Sequence, residues 1–356
     1  MSLENIQERI REAAGRGAPL CIRGGGSKDF YGNLPRGETL DTRAYAGIVA
    51  YEPTELVVTA RCGTRLGELQ EILDKENQIL AFEPPHFGAD ATLGGCVAAG
   101  LSGPRRASAG SVRDAMLGAK ILDGRGQLLA FGGQVMKNVA GYDVSRLLAG
   151  SLGTLGLIVE VSLKLLPRPP EELTLKFEMP QAKALESLRR WGGRPLPISA
   201  SAWRDGELAL RLSGAASAVR SAAQGLGGES LPAGEAARFW TGIREQTDPF
   251  FAGETPLWRL SLPVQTPEVD LPGAQLLEWG GALRWLRAGE HAGTDAAAVR
   301  EAASRAGGHA TLFRAAQKPQ GAFAPLPPLL ARLHRGLKRA FDPAGILNPG
   351  RLYAEF

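Results

Sequence analysis

The sequence predicts an α+β protein of two lobes, and three observations carry the prediction. The chain has 356 residues, too many for one simple hydrophobic core. Its first half sets short apolar strands among glycine-rich turns and closes on the strongly apolar run 156–166. Pro167, Pro169 and Pro170 then break the chain, and beyond them strand-like and helix-like stretches alternate, as in a lobe with an antiparallel sheet.

Leu3, Ile6, Ile10 and Ala14 recur at helical spacing, which predicts an amphipathic helix over 3–15. Pro19 to Arg23 reads as a short buried strand running straight into glycines. Strands follow at 46–51 and 55–61, with Thr64 placed to cap a helix over 65–76. Segments 117–122 and 127–131 flank Asp123-Gly124-Arg125-Gly126, a hairpin turn. Strands are predicted over 172–178, 198–203, 207–212, 257–263 and 308–313, and helices over 181–191, 215–225, 234–245 and 295–306. All six tryptophans fall between 191 and 285, so this lobe should bury most of the large aromatic surface. A helix at about 327–340 leads into the tail FDPAGILNPGRLY.

Composition narrows the function classes. No run approaches the roughly 18–20 apolar residues of a membrane helix, and the amphipathic start lacks the apolar core of a signal peptide. The expectation is a cytoplasmic protein without a membrane span, meeting the inner face of a membrane only through partner subunits. Net charge is +4, from 41 basic and 37 acidic residues mixed along the chain, and no basic stripe marks a nucleic-acid footprint. Cys21, Cys62 and Cys96 stand far apart, forming neither a disulfide framework nor a C-x-x-C metal site. Four iron–sulfur ligands cannot be drawn from three cysteines, so any such centre belongs to another chain.

Three constellations carry chemistry. In the first, Arg23-Gly24-Gly25-Gly26-Ser27-Lys28, a strand opens into bare backbone N–H groups that suit a pyrophosphate. Read alone, it is more simply a surface turn, and it is not the G-x-G-x-x-G fingerprint. The second spans 88–113, with Thr92, Gly94, Gly95, Gly100, Ser102 and Gly110. Small residues there let backbone approach a large flat ligand, though tight helix packing explains such a stretch too. Two glycine-rich loops in one domain are harder to explain as packing. The third joins Lys137-Asn138-Val139-Ala140-Gly141-Tyr142-Asp143 and Arg146 to Gly150-Ser151-Leu152-Gly153-Thr154-Leu155-Gly156.

The order of these blocks resembles the vanillyl-alcohol-oxidase, or PCMH-type, FAD-binding domain. KNVAGYDVSRLLAGSLGTLGLIVEVSLKL and FDPAGILNPGRL are similar to the FAD-binding subunits of bacterial glycolate oxidase. The resemblance covers roughly 18–168 and 340–353. It implies a PCMH-type FAD-binding domain of two α+β subdomains, about 1–45 and 46–168. An α+β cap lobe with an antiparallel sheet would occupy 169–326, and a C-terminal helix and tail, 327–356, would return to the FAD domain.

By the same resemblance, Arg23, Gly24, Gly25, Gly26, Ser27 and Lys28 hold the FAD pyrophosphate. Thr92, Gly94, Gly95, Gly100 and Ser102 line the ribityl and ring side, with Pro84 beside them. Gly110 and Arg113 lie along the dinucleotide, Ile158 reaches its adenine end, and Gly156 also belongs to the cofactor-binding set. Some relatives attach FAD through a histidine in the first loop. Ser27 stands there in this chain, which implies non-covalent FAD.

Catalytic residues are far less legible. Oxidising a 2-hydroxy acid needs a cationic carboxylate clamp and a base. Of the four histidines His86, His291, His309 and His334, only His86 adjoins an expected flavin loop, and it is the sole candidate. No G-H-x-G-D-G-N-like cluster is present. The implied partners are a larger FAD subunit, an iron–sulfur subunit and glycolate. An exposed apolar or mixed patch for them is expected on the cap or near the flavin edge. Two alternatives stay open: a stand-alone FAD-dependent D-lactate or 2-hydroxy-acid dehydrogenase, and a non-catalytic assembly subunit.

Overall fold

The computed structural model describes residues 2–133, 143–288 and 295–356. They group into two units. One comprises Met1–Leu101, Ser111–Pro167 and Pro325–Phe356; the other comprises Ser102–Gly110 and Arg168–Ala324. The motif Lys137 to Tyr142 and His291 lie outside the described residues.

In the first unit, helix α1 (Leu3–Arg16) forms because Ser2 caps it, accepting from the Asn5 amide, and Gly17 ends it in the left-handed region. It buries Ile6, Ile10 and Ala13. Strand β1 (Leu20–Arg23) pairs in parallel with β2 (Glu38–Asp41). Strands β3 (Ile48–Glu52) and β4 (Val57–Arg61) follow, then α2 (Leu66–Lys75) and α3 (Leu93–Ala99). Strands β5 (Met116–Leu122), β6 (Leu128–Gly132) and β7 (Leu157–Lys164) complete an antiparallel sheet of order β3-β4-β7-β5-β6. Helix α4 (Pro328–Phe341) rejoins this unit from the far end of the chain.

Apolar side chains fill both faces of this sheet, which is why β7 reads as a strongly apolar strand interrupted only by Glu160 and Ser162 before Lys164. Leu157 and Val159 join α1, β1, β2, Ile346 and Leu347 in one core; Ile158, Val161 and Leu163 join α2 and α3 in the other. A bulge opposite Lys120 and Ile121 reverses the alternation between Val159 and Val161.

Thr64 does not cap α2. The residue at the cap is Arg65, whose side chain makes no cap bond. The Thr64 hydroxyl is held instead by Gly47, accepting from its amide at 2.9 Å and donating to its carbonyl at 3.2 Å.

In the second unit an eight-stranded antiparallel sheet forms on the expected strands, Glu171–Glu178, Ile198–Arg204, Glu207–Gly214, Leu257–Ser261 and His309–Arg314. Glu229–Ser230 adds an edge strand. Two central strands, Ala274–Glu278 and Leu283–Arg287, are absent from the sequence reading. Arg284 hides the second: it is buried at 1 % exposure because Pro267, Thr266 and Gly281 carbonyls accept its guanidinium protons. The six tryptophans are all buried.

The segment 102–110, expected within the FAD-binding domain 1–168, groups with this second unit. Its own bonds explain the placement. The Trp279 indole donates to the Gly103 carbonyl at 3.0 Å, Ser108 donates to the Ser199 carbonyl at 3.0 Å, and Arg105 pairs with Glu172. Arg106 stacks over the Trp279 ring at 4.4 Å.

Among the described residues, one large exposed hydrophobic, Val264, belongs to the second unit, whereas Leu329, Leu330 and Leu333 crowd one stretch of α4. No helix is long and apolar enough to cross a membrane among the described residues.

Candidate flavin-binding site

Where β1 ends, the first unit opens into a cleft lined by Ile22 to Asp29 on one side and by Leu152, Gly153, Asn348 and Arg351 among others. Its floor is the glycine turn. A Cβ on Gly25 would overlap the Asp90 carbonyl oxygen, and Gly26 holds φ +74°, so neither position tolerates a side chain. The result is a run of bare backbone closed over Thr92, whose hydroxyl accepts from the Gly95 amide at 3.3 Å.

Eleven of the sequence-predicted residues line this cleft: Arg23, Gly24, Gly25, Gly26, Ser27, Lys28, Thr92, Gly94, Gly95, Gly156 and Ile158. Pro84, Gly100, Ser102, Gly110 and Arg113 are not among its lining residues. Gly100 has another reason to be glycine: it ends α3 at φ +66°, where a Cβ would press on Gly150. Ser102 and Gly110 bound the segment that groups with the second unit, and Arg113 is exposed. The His86 ring does not line the cleft; only its carbonyl reaches the flavin loop, accepting from Lys28 Nζ at 3.0 Å.

The tail supplies what the sequence reading leaves unassigned. Asn348 accepts from the Ile22 amide at 2.7 Å and donates to the Leu152 carbonyl at 2.6 Å, tying β1 to the 150–156 turn. Arg351, 7 % exposed, donates to the carbonyls of Asn33, Lys28 and Asp29. It thereby fastens the loop that follows the glycines. Behind it, Lys338 of α4 is buried against Asp342 at 2.7 Å and donates to the Thr154 and Leu347 carbonyls. Burial lowers the Lys338 and Arg351 pKa values, and neighbouring Asp342 and Asp29 oppose that shift.

Three cations, Arg23, Lys28 and Arg351, thus face one carboxylate, Asp29, around bare amides. Arg23 and Asp29 pair at 2.7 Å, half exposed, so this pair adds little stability. The surplus positive charge suits a diphosphate and the glycine turn leaves room for it, so the residues present fit FAD.

Cys62 also lines the cleft, yet its thiol is unreactive by environment. Burial pushes it up to about 12, pushes Cys96 up to about 11 and raises Cys21 as well. We expect no reaction of the native chain with a thiol-exchange reagent at about pH 8, and three equivalents after unfolding. Rapid labelling of native Cys62 would show the cleft to be more open than described.

The glycine turn, the cationic cleft and the returning tail define a flavoprotein of the FAD-linked oxidase class. Residues 1–132 match the family model described as FAD binding domain, and residues 326–352 match that of FAD linked oxidases, C-terminal domain. The chain is 48% identical over 350 residues to glycolate oxidase subunit GlcE of Escherichia coli (strain K12), covering 98% of this chain and 97% of that one. The chain belongs to the GlcE family of glycolate oxidase subunits. It is also 29% identical over 180 residues to a D-lactate dehydrogenase of Archaeoglobus fulgidus, spanning 50% of this chain and 40% of that protein. It is 32% identical over 160 residues to glycolate oxidase subunit GlcD of Bacillus subtilis (strain 168), spanning 44% and 34%. Among solved structures, alkyldihydroxyacetonephosphate synthase matches with TM-score 0.68 at 16% identity, over 97% of this chain and 74% of that one, a likeness of fold alone.

Proposed function

We propose that this chain is the FAD-binding subunit of a glycolate oxidase complex, which oxidises glycolate to glyoxylate and passes electrons to an iron–sulfur centre on a partner subunit. The observation that carries the reading is the cleft: bare amides from Gly24 to Ser27, ringed by Arg23, Lys28 and Arg351, in a chain of the GlcE family. Bound FAD supplies the two-electron acceptor that oxidation of a 2-hydroxy acid requires. The protein's part is to hold it. Amides and cations would neutralise the diphosphate, and by the family resemblance Thr92, Gly94 and Gly95 would leave space for the ribityl and ring side and Ile158 would meet the adenine end; all of them line the cleft. Pro84, Gly100, Ser102, Gly110 and Arg113 keep only the support of the family resemblance.

Glycolate oxidase chemistry with an iron–sulfur acceptor needs thiolate ligands, and here the three cysteines are separate and buried. This supports placing that centre, and a larger FAD subunit, on partner chains. We assign no base, because the His86 ring stands off the cleft.

Ser27 occupies the first-loop position where a flavin-linked histidine would stand, so acid precipitation should release all the FAD into the supernatant. Flavin pelleting with the protein would disprove non-covalent attachment. Anaerobic glycolate added to the isolated yellow chain tests the reading itself. Flavin that bleaches only with partner subunits present supports it; immediate bleaching favours a self-sufficient dehydrogenase, and colourless chain that FAD does not restore favours an assembly role.

A further inference from the structure

Helix α4 has two faces with different demands. Its inner face buries Ala331 and Lys338 and sets Leu337 and Phe341 against the core. Opposite runs a second line, Leu329, Leu333, Gly336 and Ala340, at the 4-3-4 spacing of a helix–helix seam. Leu329 and Leu333 are 58% and 54% exposed, and Leu330 on the flank is 44% exposed.

Gly336 lies in the middle of this line, and like Gly15 and Gly67 in other helices it is open on its own chain. Glycine weakens a helix interior relative to alanine. In a fold it usually marks close approach by a neighbour, yet a Cβ built here meets nothing within 4 Å. The chain's own packing therefore gives no reason for it. A helix laid from outside along the seam does, because a missing side chain lets two backbones approach. A lipid surface gains nothing from that gap and would favour a bulky apolar residue.

Charge selects the occupant further. Arg332, Arg335 and Arg339 are all exposed and run beside the apolar line, and residues 325–341 contain no acidic side chain. We propose that this face of α4 docks an acidic amphipathic helix of a partner subunit, with its apolar residues on Leu329 and Leu333, its closest approach at Gly336 and its carboxylates along the three arginines. The proposal rests on the reading that the chain works as a subunit.

The test co-expresses tagged chain with the other glycolate oxidase subunits of the same organism and measures the partner recovered per chain. Leu333→Glu and Gly336→Leu should each lower recovery at least about tenfold, as loss of a central contact does. Charge reversal of Arg332, Arg335 and Arg339 together should lower it comparably. Flavin content of the isolated variants should stay at the wild-type level, and Gly336→Ala should raise the melting temperature of the isolated chain by roughly 2–4 °C, showing that the fold does not need the glycine.

Wild-type recovery by these variants overturns the docking surface and leaves the subunit reading standing. Failure of the wild-type chain to recover any partner removes that reading and the proposal together. If the variants lose only sedimentation with phosphatidylglycerol vesicles, or only a self-association seen by ultracentrifugation, the face serves lipid or a second copy and the proposal is wrong.

Discussion

Replacing Arg351 with methionine is expected to leave a folded chain that is nearly colourless. Its guanidinium is buried and serves the carbonyls of Lys28, Asp29 and Asn33, so methionine fills the volume but leaves those acceptors without their charged donor. Each charge-assisted hydrogen bond contributes about 1.5–3 kcal/mol, and a buried acceptor left unmade has its own cost. The three are not additive, but a loss of about 3 kcal/mol from the loop corresponds to a roughly 100-fold weaker hold on FAD. Visible flavin absorbance per purified chain, followed by titration of the apoprotein with FAD, measures it. Arg351→Lys should recover part of the affinity, because one ammonium reaches fewer of the carbonyls than the planar fork does. Wild-type flavin content in Arg351→Met would mean that the turn holds its shape unaided.

The other large effect concerns stability rather than colour. Lys338→Met removes the cation from a carboxylate that is 1 % exposed, and it strands the Thr154 and Leu347 carbonyls. Breaking a buried pair in this one-sided way costs about 3–5 kcal/mol, which predicts a fall in melting temperature of roughly 6–20 °C for a unit of this size. The Ile346 and Leu347 amides still donate to Asp342, which should keep the loss toward the lower end. Adding Asp342→Asn to the same chain should regain part of the loss, because no uncompensated charge remains. A shift under about 2 °C in the single variant would show that water reaches Asp342.

How much of this was legible follows from where each signal lies in the chain. Gly24 to Gly26 stand together, and paired with the second glycine-rich stretch, 88–113, they suggest a ligand site without any tertiary knowledge. The helix of α1 and the strands flanking Asp123-Gly124-Arg125-Gly126 are likewise local patterns, and the structure has them within two residues of expectation. Arg284 misleads because a charged residue breaks the apolar rhythm of a strand, and only the distant Pro267 and Thr266 carbonyls explain its burial. Gly100 shows a second reason for a glycine that composition alone does not reveal: it ends a helix at φ +66° against Gly150.

Asn348 and Arg351 escape a residue-level reading for a third reason. The family resemblance marks the tail as a block, but the partners that give these two side chains a role lie far upstream, Leu152 by 196 positions and Ile22 and Asn33 by more than three hundred. No local window contains both ends of such a bond. A buried polar residue with remote partners becomes legible only once the strands are paired.

That remoteness also bears on how the protein is made. Strand β1 finds β2 within a few dozen residues, but its other neighbour, Leu347, and the clamp at Arg351 are synthesised much later. At roughly 5–20 residues per second, the 318 positions between Asn33 and Arg351 correspond to a delay on the order of tens of seconds on the ribosome. Throughout it the flavin loop exists without its fastening. Cofactor loading is therefore a late event in biogenesis, and chains interrupted before residue 351 should be born without flavin, which gives the cell a colour-coded mark of completed synthesis.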